Sequence, residues 1–258
     1  MQLEFKLNRL ESTRMIGPLV DRHWEEFRTA KQRGEMVAWC SGPLFVFPYA
    51  MGMKPHFMAG YASYCATRRA ADQVLEAAEA DGELPDTCSY HRLHMGMAAA
   101  VKKGIPIRED VILPIPDLML DGRVCTEMSH YAEALYRRHH IPVVAVDMPR
   151  SHRESDIPIL EAFVVGQINA TLIPILEEIC GRPYNYDRLS EILDILKKTP
   201  VIRNECWEYF KLIPSPWSLW DYGVSLAPVV YLMGKPETIP YYESVKAERA
   251  RRARELLL

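Results

Sequence analysis

Apolar residues recur at helical spacing along most of the chain. From Ser89 to Lys103 and from Thr126 to His139 they return every three or four positions with polar residues between them, which predicts two amphipathic helices. The same pattern predicts a helix from Leu10 to Gln32, and an alanine-rich stretch predicts another from Tyr61 to Ala80. Helices therefore account for much of the first 150 residues.

Three short apolar runs, rich in β-branched residues, lie among these helical patterns. They are Met36 to Cys40, Val111 to Pro116, and Ile141 to Val146. Short runs of this kind are typical of strands buried in a parallel sheet. Because they alternate with helices, we predict a small parallel sheet flanked by helices, an α/β fold, over residues 1–150.

Beyond Pro149 the pattern is helical throughout. Helices are predicted for Asp156 to Cys180, Tyr186 to Ile213, Ser218 to Met233 and Pro240 to Leu258, with proline and glycine breaks between them. We therefore predict two domains: an α/β domain in residues 1–150 and an all-helical segment in residues 151–258.

Composition and charge narrow the class of protein. The 258 residues are 48% hydrophobic and 25% charged, with a net charge of −3, which is typical of a globular protein and argues against nucleic acid as a partner. The first residues, M-Q-L-E-F-K-L-N-R, show no apolar core of a signal peptide, so a cytoplasmic location is predicted. The most apolar segment, Ile157 to Cys180, is interrupted by Glu161 and Glu177, which favours a buried or amphipathic helix over a membrane span.

Six cysteines in a cytoplasmic chain indicate metal binding, catalysis or plain core packing, and argue against a disulfide framework. Cys88 and Cys125 stand out because each directly precedes a predicted helix, and helix N-termini stabilise thiolates. We expect both thiols to meet in one crevice at the ends of the strands. Their separation, 125 − 88 = 37 residues, forms no local metal motif. The others are interpreted as ordinary core thiols: Cys40, Cys65, Cys180 and Cys206.

Several stretches resemble one enzyme family. They include C-S-Y-H-R-L-H-M-G-M from Cys88, P-I-P-D-L-M-L-D-G-R-V-C ending at Cys125, Y-A-E-A-L-Y-R-R-H-H-I-P-V-V-A-V-D-M-P ending at Pro149, and P-S-P-W-S-L-W-D-Y-G further on. In order and spacing they resemble the B and C subunits of benzoyl-CoA reductase and the related 2-hydroxyacyl-CoA dehydratases. The resemblance extends over most of the chain from about Trp39 onward.

The resemblance implies a 4Fe-4S cluster held by three cysteines, of which the first two match Cys88 and Cys125. In the family the third comes from a second α/β domain that follows the helical segment, and this sequence stops at Leu258, where that domain would begin. Cys206 is a poor substitute. We therefore expect the chain to lack the second α/β domain and to bind a cluster weakly by itself. A family glutamate is replaced by Pro43, so no carboxylate role is carried over to that position.

The activity implied is that of an iron–sulfur subunit that transfers low-potential electrons to an aromatic acyl-CoA, together with a homologous sister subunit and an activator ATPase bearing its own iron–sulfur cluster. The reductase is favoured over the dehydratase because Thr126 follows Cys125, where dehydratases commonly carry a Cys-Asp pair. The alternatives are a 2-hydroxyacyl-CoA dehydratase subunit and a cluster-less structural subunit. A flavodoxin-like nucleotide binder is disfavoured because no G-x-G-x-x-G joins a strand to a helix.

Other candidate residues surround the two cysteines. His91 lies one helical turn after Cys88 and is the candidate proton donor, although the ordinary interpretation of such histidines, including its neighbour His94, is a surface or interface position. Weaker candidates are Tyr90, His130 and Tyr131. A basic group could meet the phosphates of coenzyme A or simply form a solvated face: Lys102, Lys103 and Arg108.

Overall fold

The computed structural model describes residues 9–256. Its strands are β1 (Val37–Cys40), β2 (Lys54–Phe57), β3 (Leu118–Asp121) and β4 (Val143–Ala145). Its α-helices are α1 (Ile16–Arg28), α2 (Val46–Ala50), α3 (Met58–Thr67), α4 (Ala71–Ala80), α5 (Ser89–Lys103), α6 (Thr126–His139), α7 (Ile157–Gln167), α8 (Ile173–Cys180), α9 (Tyr186–Glu208), α10 (Leu219–Ser225), α11 (Ala227–Tyr231) and α12 (Thr238–Leu256).

The four strands form one parallel sheet in the order β2-β1-β3-β4. The central strands β1 and β3 are buried along their whole length, with Trp39 opposite Met119. Parallel strands joined through helices bury both faces of a sheet, which explains the continuous apolar runs V-A-W-C and L-M-L. The predicted small parallel sheet flanked by helices, followed by a helical segment, is confirmed.

The strongest helical patterns predicted their elements well. Helices α5 and α6 begin and end at the residues predicted for them. The apolar run at residues 36–40 forms β1, and the core of the run at 141–146 forms β4. After β4, the described residues contain helices and loops and no strand.

One predicted strand is wrong. Residues 111–116 begin at the end of a short 3-10 helix, Glu109–Val111, and continue as irregular chain, whereas the strand β3 follows at Leu118–Asp121. Pro114 and Pro116 explain the error, since proline has no backbone N–H for a central ladder. Strand β2 was not predicted. It contains Pro55 and lies at the edge of the sheet, where proline is tolerated.

The predicted helix from Tyr61 to Ala80 is two helices, α3 and α4. The break lies at residues 68–70, where Arg69 has a φ of +53°. A non-glycine residue in the left-handed region ends a right-handed helix. Helix α4 can therefore leave the direction of α3 and pack against α5.

The segment Glu154–Cys180 is helical along its whole length, and a π-helical stretch at Ile168–Leu172 connects α7 to α8. By length and composition alone it could cross a membrane, and only 17% of its apolar window is buried. One such helix is weak evidence for a span. A buried helix is not observed either, because α7 contains no buried residue and α8 buries only Ile173 and Leu176. The expectation that the chain does not contact a membrane stays a prediction.

Two compact units can be distinguished. One consists of Glu26–Leu189 and contains the whole sheet. The other combines residues up to Glu25 with those from Ser190 onward, and its core includes Trp217, Tyr241 and Tyr242. The domain boundary predicted near residue 150 is a statement about which part of the chain folds independently. Compact units alone do not show independent folding, so this boundary stays a prediction.

Candidate functional site

The cysteines singled out by the sequence both occupy the N-cap positions of helices. Cys88 precedes α5 with ψ of 126°, and Cys125 precedes α6 in an extended conformation. Both thiols are exposed, and both line one pocket of about 180 Å³. Both cysteines therefore line one crevice, and their role as metal ligands stays a prediction.

The route by which each cysteine reaches the pocket differs from the prediction. Cys125 follows the carboxyl end of β3 through a short loop, in which Gly122 N donates to Ser41 Oγ at 2.5 Å and Arg123 N donates to Asp121 Oδ1 at 2.9 Å. Cys88 does not follow a strand, since its segment comes from helix α4. One thiol thus comes from a strand end and the other from a turn between helices.

His91 lies between two carboxylates, one of which is bound in turn by an arginine. Its Nδ1 is 2.5 Å from Glu127 Oε1, and its Nε2 is 3.4 Å from Glu83 Oε2. Glu83 in turn accepts a hydrogen bond from Arg138 at 2.5 Å. Only 2% of His91 is exposed, so the surface position expected for it is wrong. The ring is held between two carboxylates at the wall of the pocket.

The electrostatics of this group follow from its burial. Burial lowers the pKa of His91, while the hydrogen bond to Glu127 and the charge of Glu83 act in the opposite direction. The same hydrogen bond from His91 lowers the pKa of the Glu127 carboxyl, which also accepts from the backbone N–H of Cys88. Glu127 thereby joins the start of α5 to the first turn of α6.

The rest of the pocket wall is largely apolar. It includes Met58, Ala59 and Met128 together with two of the weaker candidates, Tyr90 and Tyr131. The Tyr131 hydroxyl contacts the sulfur of Met58, and burial raises the pKa of this phenol well above its usual value. Such a wall excludes water and suits an apolar acyl group better than a charged one.

His94 also lines the pocket, but it belongs to a buried ring cluster. Its Nε2 lies 3.5 Å from His56 Nε2, and its ring centroid is 5.3 Å from that of Trp39. Burial lowers the pKa of His94 to about 4, so the ring is neutral at physiological pH. The surface position expected for His94 is therefore wrong.

The basic group proposed for coenzyme A lies away from the thiols. Lys102 and Lys103 are in the last turn of α5, about 20 Å along the helix from Cys88. Lys103 pairs with Asp81, and Arg108 pairs with Asp110 at 2.6 Å. These pairs fit the interpretation of a solvated face.

The remaining cysteines do not reach the pocket. Cys40, Cys65 and Cys206 are buried as expected, and burial raises the pKa of each thiol. Cys180 is half-buried and lines a different pocket beside Met51 and Arg182. Among the described residues, Cys88 and Cys125 are therefore the two thiols available to a metal group at this pocket.

Sequence reasoning missed Glu83 and Glu127. Glu83 lies on the turn after α4 and is 5% exposed, and Glu127 lies 36 residues from its partner His91. A usable indication was present for Glu127, because it shares the first turn of α6 with Cys125 and is followed three residues later by His130. Nothing local in the sequence indicates that Glu83 is buried.

A parallel sheet flanked by helices, with two N-cap cysteines on one pocket, defines an α/β protein with a candidate metal site. The sequence profile of the family "2-hydroxyglutaryl-CoA dehydratase, D-component" matches residues 46–256. That is most of the chain, so the protein belongs to this family. The resemblance noted in the sequence is thereby confirmed.

Individual relatives agree with this assignment. The chain is 28% identical to the alpha subunit of lactoyl-CoA dehydratase from Anaerotignum propionicum, over 80% of this chain and 51% of that protein. It is 26% identical to the alpha subunit of (R)-phenyllactyl-CoA dehydratase from Clostridium sporogenes, over 85% and 53%. It is also 26% identical to one of the subunits of benzoyl-CoA reductase from Thauera aromatica, over 73% and 44%. The chain spans about half the length of these relatives.

The donor set fits part of an iron–sulfur site. Cys88 and Cys125 are free thiols on one pocket, exposed enough to reach iron, and each occupies the N-cap position of a helix. Two thiolates are fewer than the usual set of a 4Fe-4S cluster. Any further ligand would have to come from a group other than the described cysteines.

Proposed function

We propose that this chain contributes two cysteine ligands, Cys88 and Cys125, to the 4Fe-4S site of an enzyme that acts on an acyl-CoA thioester. The observation that carries the proposal is the convergence of both thiols on one pocket. The family assignment supports it, since the relatives are named as acyl-CoA dehydratase or reductase subunits.

The reaction class proposed is dehydration of a 2-hydroxyacyl-CoA, with reduction of an aromatic acyl-CoA as the second candidate. Two dehydratase subunits match 80% and 85% of this chain, and the reductase subunit matches 73%. The dehydratase interpretation is therefore at least as well supported as the reductase favoured by Thr126. Both reactions take a CoA thioester as substrate.

When bound, a 4Fe-4S cluster supplies single-electron transfer to the thioester. The residues of this chain have separate tasks: Cys88 and Cys125 hold the group, and His91 is the proposed proton donor at the pocket wall. Glu127 fixes the orientation of the His91 ring through its hydrogen bond to Nδ1, and Glu83 lies 3.4 Å from the other ring nitrogen. The apolar wall beside Met58 and Tyr131 keeps water from the reacting group.

The partners proposed are those of a multi-subunit enzyme. The relatives are each named as one subunit of an enzyme, which supports a homologous sister subunit. An activator ATPase with its own iron–sulfur cluster is proposed as the electron donor, in keeping with the resemblance. A cytoplasmic location is proposed for the complex.

A second candidate function is that of a structural subunit without a cluster. It is favoured by one observation: the described residues place only two cysteines at the pocket. Such a subunit would keep the fold and pair with a sister chain that carries the complete site.

Iron and sulfide analysis tests the proposal. We expect the chain, produced anaerobically together with its sister subunit, to carry iron and sulfide, and Cys88→Ser or Cys125→Ser to abolish most of it. Cys180→Ser is the matched control, since this half-buried thiol lies at another pocket and its loss should leave the content unchanged. Unchanged iron in both pocket variants would show that the ligand assignment is wrong.

A further inference from the structure

A second group of metal-ligand side chains lies next to the thiols. His91, Glu127 and His130 each offer one ligand atom, and the three atoms lie within 4.8 Å of one another. The rings of His91 and His130 have centroids 5.6 Å apart. We propose that His91, Glu127 and His130 form a mononuclear site for a divalent transition cation of the zinc, cobalt or ferrous class. It uses none of the thiols, although His91 and Glu127 line the same pocket as Cys88 and Cys125.

The donor set favours this class of cation. The two imidazoles are borderline ligands, which suit zinc, cobalt and ferrous iron better than calcium or magnesium, and zinc also accepts one carboxylate beside them. Glu127 and His130 lie three residues apart on α6, so their side chains project from the same face of that helix. His91 completes the set from α5, which packs beside α6.

The neighbours of His91 provide the outer support that metal-bound histidines use. A ligating histidine almost always donates its second ring N–H to a carboxylate or carbonyl. Here Nδ1 faces Glu127, and Nε2 faces Glu83 Oε2 at 3.4 Å, while Arg138 holds Glu83 from behind at 2.5 Å. The Glu83 side chain is 2% exposed, so it cannot turn to water in place of His91.

The hydrogen bonds of His91 leave one nitrogen unsatisfied. Its Nε2 is buried and has no hydrogen-bond partner within ordinary geometry, although Glu83 Oε2 lies 3.4 Å away. With a cation on Nδ1, the single proton resides on Nε2 and points to Glu83, and the Glu127 carboxylate becomes a ligand.

The geometry requires only a small adjustment. The ligand atoms of a tetrahedral zinc ion lie about 3.3 Å apart, whereas His91 Nδ1 and Glu127 Oε1 lie 2.5 Å apart. The Glu127 side chain is one-third exposed and can move outward to admit the ion. Because His130 is exposed, the remaining coordination position faces solvent.

This inference does not rest on the proposed function. A cation at Nδ1 takes the lone pair with which His91 would otherwise bind a proton, so His91 can serve as a proton donor only in the cation-free chain. The thiols are not part of the site, and they can be removed for the test.

Cobalt(II) titration of the Cys88→Ser/Cys125→Ser chain tests the inference. We expect one cobalt per chain, with visible ligand-field absorption, and circular dichroism unchanged from wild type. Glu83→Gln should weaken the binding by about 10- to 100-fold, and His130→Gln and Glu127→Gln should weaken it by more.

Asp81→Asn is the matched control for Glu83→Gln. Asp81 is a fully buried carboxylate two residues away, and it contacts His139 at 3.2 Å instead of His91. It should leave cobalt affinity unchanged. His130→Gln keeps the test valid if a buried variant fails to fold, since His130 is exposed. Failure to bind cobalt at about millimolar concentration, or wild-type affinity in His130→Gln and Glu127→Gln, overturns the inference.

Discussion

Glu248 shows how one buried carboxylate can hold a chain segment in place. Its two oxygens accept hydrogen bonds from Glu11 N at 2.9 Å and Ser12 N at 2.8 Å, and Arg252 contributes a third at 2.8 Å. Burial acts to raise the pKa of Glu248, but the hydrogen bonds from Ser12 and Glu11 outweigh it, and the pKa lies below its ordinary value of 4.5. The charged form is therefore the stabilising one.

We expect Glu248→Gln to lower the free energy of unfolding by about 1–2 kcal/mol at pH 7, since hydrogen bonds to a charged acceptor are replaced by weaker ones. A carboxyl with a depressed pKa stabilises the fold above its unfolded pKa, and that stability is lost as pH falls through the folded value. The free energy of unfolding, measured in urea, should therefore fall less between pH 7 and acid pH in the variant than in wild type.

Glu255→Gln is the control for this experiment. Glu255 is exposed, and among the described residues 9–256 its ion pair is with Arg251 on the same helix, at 2.9 Å. An exposed pair of this kind contributes less than about 1 kcal/mol. If Glu248→Gln proves as mild as Glu255→Gln at both pH values, the role given to Glu248 is wrong.

Single residues also show what the sequence could predict of the site. Cys88 and Cys125 were found because a helix start is a local pattern. His91 was found by its spacing from Cys88, but its burial was not, because Glu83 and Glu127 come from other segments. Packing between separate elements has no local counterpart in the sequence.

The contact between α4 and α5 depends on a glycine. A Cβ atom at Gly96 would lie 1.8 Å from the backbone oxygen of Val74, so the two helix backbones approach more closely than any side chain allows. Cys88 and His91 belong to the same helix as Gly96, at its N-terminal end. The position of α5, and hence of the pocket wall, depends on this approach.

Gly96→Ala should therefore destabilise the chain by at least about 1–3 kcal/mol, since the clash is with backbone and cannot be relieved by a rotamer change. Gly166→Ala is the matched control. It also lies in a helix, is exposed, and has nothing within 4 Å of the added methyl, so it should stabilise by about 0.5–1 kcal/mol. Thermal unfolding measures both. A Gly96→Ala melting temperature equal to that of wild type would contradict the close approach.

Helices and strands differ in how well the sequence predicts them. Helices α5 and α6 carry two or more turns of apolar spacing, so their bounds were predicted. All four strands have only three or four residues each, too few to establish a period, so β1 and β4 were predicted by their apolar runs alone and β2 and β3 were missed. The run at residues 111–116 looked more strand-like than β3 itself because it is richer in β-branched residues. Pro114 and Pro116 argue against a central strand in this run, since proline cannot donate to the ladder.

At the scale of the whole chain, the segment after β4 joins the sheet region to the helical region. Asp147 N donates to Gln167 Oε1 at 2.9 Å, and Gln167 Nε2 donates to Asp147 O at 3.0 Å. Further on, the Tyr184 hydroxyl donates to Phe47 O at 3.3 Å. Residues beyond 150 are thus hydrogen-bonded to the α/β region within the unit Glu26–Leu189.

We expect trypsin to cut first at Arg150 or Arg153. Residues 149–155 are exposed and carry no α-helix or strand, and the bond after Arg182 is protected by Pro183. The two fragments should elute together in size-exclusion chromatography, because the hydrogen bonds of Gln167 and Tyr184 link residues on opposite sides of the cut. Arg150→Gln/Arg153→Gln should slow the cut without changing the melting temperature.

Refolding of the separated fragments tests the domain boundary. After separation in urea and refolding, a 1–150 domain should regain its helical circular dichroism. A fragment that stays unfolded would show that residues 151–189 are needed for the α/β domain, and would move the boundary to the end of that segment.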